Sequence, residues 1–385
     1  MSEKKDNPRA EIDAIDNELL RLLNERAAIA LRVGTVKRRN DTSLCDPQRE
    51  REVLARLSKL NSGPLDEQNI TNIFQRIIDE SLQIQQREYQ TSSENVSEAK
   101  AETNNFYEDG RVAFLGESGT FSEEAVIKLL GESCKTVSRP TFETLFAAID
   151  EGEADYILAP LENTLVGAVR RSQDLLLKSS LGIVAEIILP IAHCLIGVQG
   201  ASLDTIEIVE SHPVALGQCE RFFALHPHIR RVAANDTASS VRRVVESGDK
   251  SRAAIAGKRA AAIYGGAILQ EHVEDQRENY TRFVLLAPKP NESSRGNKIS
   301  LIIKLAHRPG ALHDALRPFV RRGIDLLKIE SRPIKERPWQ YNFYLDLQAP
   351  ASESELRGAL DEIKEQAEEF RYLGRYSVLE IANEK

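Results

Sequence analysis

The sequence of 385 residues is poor in cysteine and in paired histidines. Its four cysteines, Cys45, Cys134, Cys194 and Cys219, lie far apart, and none belongs to a CxxC pair. A disulfide framework is therefore not expected, and isolated thiols are typical of a reducing cytosol. The only close histidine pair lies at 226 and 228, so no spacing typical of a zinc site is present.

Long apolar runs and an excess of positive charge are also missing. The most apolar stretch, 181–198, is interrupted by Glu186, Pro190 and His193, and it is shorter than the roughly 20 residues that a membrane-spanning helix needs. The first residues contain no apolar signal core, so we expect a cytoplasmic protein. The net charge of −8 argues against nucleic acid or an anionic membrane as the main partner.

The patterns that are present predict three domains. An all-helical domain is expected at 1–90, followed by a linker at 91–108 that has almost no large apolar side chains. Residues 109–288 alternate short β-rich runs with helical segments, which predicts an α/β domain with a largely parallel sheet. After a second linker, residues 298–385 follow the order βαββαβ, which is typical of a ferredoxin-like domain.

The helical domain is predicted to contain one long helix over 9–40 and two more, one beginning at Asp46-Pro47 and one spanning 66–90. The first helix would be more than about 40 Å long at 1.5 Å per residue. Three such extended helices do not form a well-packed core by themselves, so we expect their apolar stripe to pack against a second copy of the chain.

Helix geometry relates three basic residues of the first helix. Arg26 and Lys37 are eleven residues apart, nearly three whole turns, and therefore share a face. Arg9 lies about 25 Å from Arg26 along the axis and is rotated by about 100°. It cannot reach the same small pocket within one chain.

The polar residues of this domain occur in five stretches: Arg9-x6-Asp16, Glu25-Arg26, Val33-Gly34-x2-Lys37, Asp46-x2-Arg49-Glu50 and Ser81-x3-Gln85. With these stretches, residues 9–89 resemble the all-helical class of chorismate mutase. The resemblance implies that Arg26 and Arg49 bind the substrate carboxylates together with Arg9 from a partner chain. It also implies that Lys37 and Gln85 donate hydrogen bonds to the ether oxygen, where charge builds as the bond breaks.

The same resemblance assigns the ring hydroxyl of chorismate to Asp46 and Glu50, and it gives Ser81 a supporting contact with a carboxylate. Two alternatives remain open for this segment. The charges can be solvated surface groups, or the helices can serve only for dimerisation.

The α/β domain contains five further stretches: Phe114-Leu115-Gly116-Glu117-Ser118-Gly119-Thr120-Phe121-Ser122, Pro160-Leu161-Glu162-Asn163-Thr164, Ser211-His212-Pro213 with Gln218-Cys219, Asp236-Thr237-Ala238, and Asn279-Tyr280-Thr281-Arg282-Phe283. With these, residues 111–287 resemble prephenate dehydratase. The resemblance implies two α/β lobes, similar to periplasmic binding proteins, with the site in the cleft between them. The glycine-rich loop at 116–122 lacks the Gly-Lys-Ser/Thr of a nucleotide site and is better suited to a substrate carboxylate.

By this resemblance Thr281 is the donor directed at the substrate hydroxyl, and Glu162 is an alternative acid if burial raises its pKa. Arg282 is the expected carboxylate partner, with a buried structural salt bridge as the alternative. Glu162 and Asn163 are pocket residues of the family.

Further polar contacts are expected from Ser211, Gln218 and Thr237, whereas His212 is either a pocket residue or only a turn residue. Two positions depart from the family. Asn235 stands where some members carry Glu, and Glu117 stands where the family usually has Pro.

The C-terminal domain contains Gly310-Ala311-Leu312-His313 at the start of a predicted helix and Glu330-Ser331-Arg332-Pro333 at the end of a predicted strand. With these stretches, residues 298–383 resemble an ACT domain. The resemblance implies that all eight residues form a phenylalanine site, usually between two ACT domains. The alternative is that Gly310 and Pro333 merely end elements.

Together the three modules resemble the bifunctional chorismate mutase–prephenate dehydratases. The resemblance implies a homodimer that converts chorismate through prephenate to phenylpyruvate without metal or organic cofactor. Phenylalanine would inhibit it, and neither nucleic acid nor membrane would be a partner. As an alternative, the α/β domain acts only as a carboxylate or amino-acid sensor.

Overall fold

A computed structural model describes the chain at 7–39, 44–90, 110–289, 296–334, 337–350 and 352–381. The chain divides into two compact units. One comprises Met1–Lys100 and Ile302–Arg371, and the other comprises Ala101–Leu301 and Tyr372–Lys385. The predicted linker at 91–108 lies outside the described residues, as does most of the second linker.

The first unit begins with the three predicted helices, α1 (Pro8–Arg39), α2 (Pro47–Leu60) and α3 (Glu67–Gln90). Asp46 caps α2, because its side chain accepts a hydrogen bond from the Arg49 N–H at 3.0 Å, and Pro47 occupies the first turn. Among the described residues, the helices enclose a small apolar cluster around Cys45, Ile78 and Leu82.

The remaining elements follow in chain order. The α/β domain has strands β1 (Arg111–Leu115), β2 (Lys135–Arg139), β3 (Tyr156–Asn163), β4 (Gly167–Ala168), β5 (Gly182–Pro190), β6 (Cys194–Gly197), β7 (Ile208–Ser211), β8 (Arg230–Ala233), β9 (Arg252–Ala256), β10 (Ala267–Gln270) and β11 (Tyr280–Ala287). Its helices are α4 (Phe121–Leu130), α5 (Phe142–Ala147), α6 (Arg170–Lys178), α7 (Pro213–Gly217), α8 (Glu220–Leu225), α9 (Thr237–Ser247) and α10 (Lys258–Tyr264). The C-terminal domain has β12 (Lys298–Lys304), α11 (Ala311–Val320), β13 (Leu326–Ile334), β14 (Arg337–Gln348), α12 (Glu353–Gln366), β15 (Glu369–Tyr376) and β16 (Val378–Glu380).

Two sheets form the α/β lobes. One has the order β16-β5-β11-β3-β1-β2, with β4 paired to β3, and the other has the order β10-β6-β9-β7-β8. Each lobe has its own apolar core, built for example around Phe114, Ile187 and Phe283 in the first and around Val209, Phe222 and Ile255 in the second. The two-lobed α/β fold predicted from the sequence is confirmed.

The prediction of a largely parallel sheet is wrong, because both sheets are mixed. Strand β1 is parallel to β2 and β3, but β11 runs antiparallel between β3 and β5. In the second sheet β7 is parallel to β8 and β9, whereas β6 is antiparallel to β9 and β10. Strands buried on both faces have near-continuous apolar sequences in either direction, so the pattern does not reveal strand polarity.

The C-terminal domain follows the predicted βαββαβ order and has a four-stranded sheet, β13-β14-β12-β15. The last predicted strand is divided in two, and its second part, β16, pairs with β5 in parallel. Gly310 precedes α11 with a φ of 79°, a left-handed conformation that suits glycine.

Candidate active sites

The three N-terminal helices surround a cavity of about 310 Å³. It collects every residue that the sequence assigned to a mutase site within one chain. These are Arg26, Lys37, Asp46, Arg49, Glu50, Ser81 and Gln85. Arg9 does not line this cavity and is exposed on the first turn of α1, as the helix geometry predicts for one chain.

Contacts between α1 and α3 position the polar groups of this mutase pocket. The Arg26 guanidinium donates to Ser81 Oγ at 2.5 Å, and Gln85 Nε2 donates to the Ala30 carbonyl at 2.5 Å. Burial lowers the pKa of Arg26, so its charge is poorly solvated and suited to bind an anion. Lys37 Nζ donates to the Leu44 carbonyl at 2.9 Å.

Gly34 gives α3 room to approach. A Cβ at Gly34 would lie 3.1 Å from Cγ and Cδ of Gln85. The packing of the site therefore requires the glycine in the stretch Val33-Gly34-x2-Lys37. A glycine on a polar helix face is the sequence signal that could have revealed this close packing.

The α/β domain contains a cavity of about 1170 Å³ that is lined by loops and strand ends of both lobes. Of the predicted dehydratase residues, it collects Asn163, Gln218, Thr237, Thr281 and His212. His212 also caps α7, because its Nδ1 accepts from the Val214 N–H at 3.2 Å, so it is both a turn residue and a lining residue.

A hydrogen-bonded chain of side chains lies along this cleft. Asn163 Nδ2 donates to Thr281 Oγ1 at 3.0 Å and to Asn279 Oδ1 at 2.7 Å. Asn279 Nδ2 donates to Gln218 Oε1 at 3.2 Å, and the same oxygen lies 2.8 Å from Nε2 of His193. The chain connects β3, β11 and the second lobe.

The orientation of Thr281 follows from this chain. Asn163 Oδ1 accepts from the N–H groups of Leu165 and Val166, both at 3.0 Å, so the amide nitrogen must face Thr281. Because Thr281 Oγ1 accepts from that nitrogen, the hydrogen of the threonine hydroxyl points away from Asn163. It can then be donated to a ligand in the cleft.

His193 and Asn279 are site residues that the sequence reasoning missed. His193 is buried, and burial lowers its pKa, so the ring is neutral at neutral pH. Since Gln218 Oε1 can only accept, Nε2 of His193 carries the hydrogen. The sequence signal for His193 was a histidine within the apolar stretch 181–198. The signal for Asn279 was its position at the start of the stretch that contains Thr281.

Arg282 and Glu162 do not line the cleft. Successive side chains of a strand point to opposite faces, so Arg282 points away from the cleft that Thr281 faces. Arg282 Nε donates to Glu186 at 2.7 Å and Nη2 to Tyr376 Oη at 3.0 Å, while Glu162 lies 4.0 Å from Arg282. The structure therefore places Arg282 in the buried salt bridge that the sequence left as the alternative.

Replacing Arg282 by methionine is expected to lower stability more than substrate affinity. Glu186 is fully buried, so removing Arg282 takes away one of the cations that compensate its charge. Lys298 Nζ, at 2.8 Å from the same carboxylate, remains and offsets part of this loss. We expect a destabilisation near the lower end of about 3–5 kcal/mol, measured by denaturant unfolding. A variant as stable as the unmodified chain but with a much higher KM for prephenate would contradict this.

Ser211 is also outside the cleft lining, because its Oγ is buried and donates to the Ile255 carbonyl at 2.6 Å. Thr237 starts α9, whose cap is Asp236. Both family departures line the cleft, and the Glu117 carboxylate is held by Arg242 through two contacts of 3.0 Å. Arg242 and Arg243, which the sequence reasoning did not consider, also line the cleft.

The glycine-rich loop is more constrained than the sequence suggested. Gly119 has a φ of 90°, and a Cβ there would lie 2.9 Å from the Ala260 backbone. Its N–H donates to Glu123 at 2.7 Å, and Thr120 caps α4. This Gly119 N–H is therefore engaged within the fold.

The predicted effector stretches lie on two elements of the C-terminal domain, the start of α11 and the end of β13. Ala311 and Leu312 line a cavity of about 130 Å³, together with Trp339. Gly310 precedes α11, and His313 is exposed on its first turn. The second stretch, Glu330, Ser331, Arg332 and Pro333, lies on β13 and pairs with Tyr341, Asn342, Phe343 and Tyr344 of β14.

Comparison with known proteins decides the family. The family model for chorismate mutase type II matches residues 8–86, the prephenate dehydratase model matches 112–291, and the ACT domain model matches 299–365. A bifunctional chorismate mutase/prephenate dehydratase of Neisseria gonorrhoeae is 34% identical over 369 residues, which covers 96% of this chain and 95% of the relative. The chain belongs to the bifunctional chorismate mutase/prephenate dehydratase family.

Solved structures resemble this family member over 69% of its chain. A prephenate dehydratase from Arthrobacter aurescens in complex with L-Phe has a TM-score of 0.63 and 30% identity, covering 69% of this chain and 89% of that one. A protein described as a novel type of quorum quenching acylase has the same TM-score and identity, covering 69% and 97%. The predictions of the family, of the multidomain fold class and of an enzyme are confirmed.

Two further features of the described residues concern membranes and metals. In the described part of the chain, no helix is both long and apolar enough to cross a bilayer. Nor do the described residues include three His, Cys, Asp or Glu side chains grouped to hold a metal ion.

Proposed function

We propose that the two family reactions take place at separate sites. Chorismate rearranges to prephenate in the mutase pocket, and prephenate loses water and carbon dioxide in the dehydratase cleft to give phenylpyruvate. One observation carries this proposal. Each cavity collects polar residues from its own family stretches, seven of them around the helical pocket and Asn163, Gln218, Thr237 and Thr281 around the cleft.

The mutase reaction is a pericyclic rearrangement, so it needs no nucleophile or proton shuttle. The site must hold chorismate in a compact conformer and stabilise the charge that develops on the ether oxygen. Arg26 and Arg49 bind the carboxylates, and Lys37 and Gln85 donate to the ether oxygen. Gln85 remains a donor at every pH because its amide does not titrate.

The roles of Asp46 and Glu50 follow from the same assignment. Both carboxylates accept the hydrogen of the ring hydroxyl, which fixes the face of the ring that meets the enol-pyruvyl group. Ser81 holds the Arg26 guanidinium in place through the contact of 2.5 Å and supports the carboxylate from there.

In the dehydratase cleft, Thr281 donates to the ring hydroxyl as it leaves. The bond from the ring to its carboxylate breaks, the electron pair enters the ring, and the hydroxyl departs as water once protonated. Aromatisation drives the step, so a modest donor is sufficient. Asn163, held by its own turn, orients Thr281, and Gln218 and Thr237 contact the substrate.

The retained carboxylate of prephenate needs a cation, and Arg282 points away from the cleft. We assign this part to Arg243, which lines the cleft and is held by Glu210 at 3.3 Å and by Ser240 at 3.1 Å. Arg242 beside it is already paired with the Glu117 carboxylate.

We further propose a homodimer in which α1 of one chain completes the pocket of the other. Apolar side chains of α1 are exposed, with Ile12 at 56% and Ile15 at 60% of their full surface. Exposed large apolar stripes mark association surfaces. Arg9 lies on the same helix and would supply the additional guanidinium for a chorismate carboxylate.

Phenylalanine is the proposed effector at the C-terminal domain. The stretches Gly310, Ala311, Leu312, His313 and Glu330, Ser331, Arg332, Pro333 are its proposed contacts, with the positive-φ glycine exposing backbone N–H groups to a carboxylate. The ACT fold of this member and the L-Phe complex of the Arthrobacter aurescens relative support the proposal. A cytoplasmic location and independence from metals and organic cofactors stay predictions.

One experiment tests these proposals. The purified chain is given chorismate or prephenate, and the loss of chorismate and the gain of phenylpyruvate are followed by absorbance with and without phenylalanine. We expect both reactions, and inhibition by phenylalanine. Binding of prephenate without phenylpyruvate would favour the sensor alternative, and an unchanged chorismate signal would reduce the helical domain to a dimerisation module.

A further inference from the structure

Helix α11 of the C-terminal domain ends beside the mutase pocket, within the same compact unit. The residue after its last turn, Arg321, is only 5% exposed and forms an ion pair with Glu50, a lining residue of that pocket. Its Nε also lies 3.1 Å from Asp79 on α3, and its Nη1 lies 3.8 Å from Glu362 on α12. One guanidinium therefore joins α2, α3 and α12.

Charge explains why this contact matters for Glu50. The Glu50 side chain is 13% exposed, and a carboxylate so deeply placed is costly unless a cation and hydrogen bonds compensate it. Arg321 provides this compensation from outside the three mutase helices. The guanidinium also restricts the orientation of the carboxylate, because its donors lie in a rigid planar fork.

We propose that Arg321 is a positioning residue of the mutase site, which orients the Glu50 carboxylate toward chorismate. The inference rests on the proposed function of this pocket. Arg321 itself does not line the pocket and is no catalytic residue. The same helix begins within the proposed effector stretch, so the seven residues 314–320 separate that stretch from Arg321.

The pairing has a consequence for pH dependence. Burial raises the pKa of Glu50, and Arg321 is the main group that opposes this, followed by Gln75, while Asp79 raises the pKa further. On the mutase side, other titratable groups nearby are Arg26, Lys37, Asp46, Arg49 and the Cys45 thiol. Without Arg321, Glu50 holds its proton up to a higher pH and loses its capacity to accept the substrate hydroxyl.

The test compares Arg321→Met, Arg321→Lys and Arg322→Met. Arg322 is the matched control, since it is the adjacent buried arginine and pairs with Glu355 and Glu362. We expect Arg321→Met to lower mutase kcat/KM on the order of 10- to 100-fold and to shift the acidic limb of its pH profile upward. Arg321→Lys should restore part of the mutase kcat/KM and return the acidic limb toward the pH of the parent chain.

Far-UV circular dichroism and thermal unfolding of the same samples report whether each variant is folded, because the dehydratase cleft lies in the other compact unit. If Arg321→Met does not fold, the lysine variant still carries the test, because it keeps the charge and alters only the geometry. The inference is overturned if the mutase rate and pH profile of the Arg321 variants equal those of Arg322→Met. A parent chain without any mutase activity would instead overturn the proposed function.

Discussion

Replacing Thr281 by alanine is expected to lower the dehydratase kcat by about 10²- to 10⁴-fold, the usual contribution of a positioned proton donor. The hydroxyl lies 3.0 Å from Asn163 Nδ2, and that amide is locked by two backbone N–H groups, so the position of the hydroxyl is fixed. Mutase activity should stay near that of the parent chain, because the mutase residues lie on α1, α2 and α3.

Two control variants sharpen this experiment. Thr281→Ser keeps a hydroxyl and should retain most of the activity. Thr164→Ala removes another threonine hydroxyl, which contacts the Glu278 carbonyl and the Tyr280 N–H and does not line the cleft, so its effect on kcat should be small. Phenylpyruvate absorbance gives one rate and chorismate absorbance the other. Loss of both rates in Thr281→Ala would refute separate sites, and full dehydratase activity would refute the donor role.

Helix geometry could relate Arg26 and Lys37 from the sequence because it is local, whereas the pocket as a whole was implied by the resemblance to chorismate mutase. A separation of eleven residues places Arg26 and Lys37 on one face whatever surrounds the helix, and both line the same cavity. The same arithmetic keeps Arg9 out of this cavity within one chain. The contact of Glu50 with Arg321 could not be predicted, because 271 residues separate them and no local pattern links α2 to α11.

The dehydratase cleft was only partly predictable, because its geometry depends on sheet order. Thr281 and Arg282 are neighbours in sequence, and strand alternation sends them to opposite sides. The sequence could not show that Glu186, 96 residues away, would meet Arg282, since β11 inserts between β3 and β5 only in the folded sheet. The link from Asn163 to Asn279, across 116 residues, depends on the same insertion.

Arg9→Ala and Lys37→Ala are each expected to lower mutase activity by about 10²- to 10³-fold, as for other losses of a group that stabilises developing charge or holds the substrate. Their combination is more informative than either alone. If the pocket takes Arg9 from the partner, a dimer of one Arg9→Ala chain and one Lys37→Ala chain contains one intact pocket and one doubly defective pocket.

Co-expression of these two chains should therefore restore mutase activity to about one quarter of the parent value, since half of randomly formed dimers are mixed and each has one working pocket. The matched control combines Arg26→Ala with Lys37→Ala. Both residues line the pocket of their own chain, so every mixed dimer keeps a defect in each pocket and no activity returns. Recovery in both combinations, or in neither, would contradict a pocket completed by Arg9. Recovery in the combination of Arg9→Ala with Lys37→Ala alone is the result expected if the exposed apolar face of α1 packs against a second chain and places Arg9 in that chain's pocket.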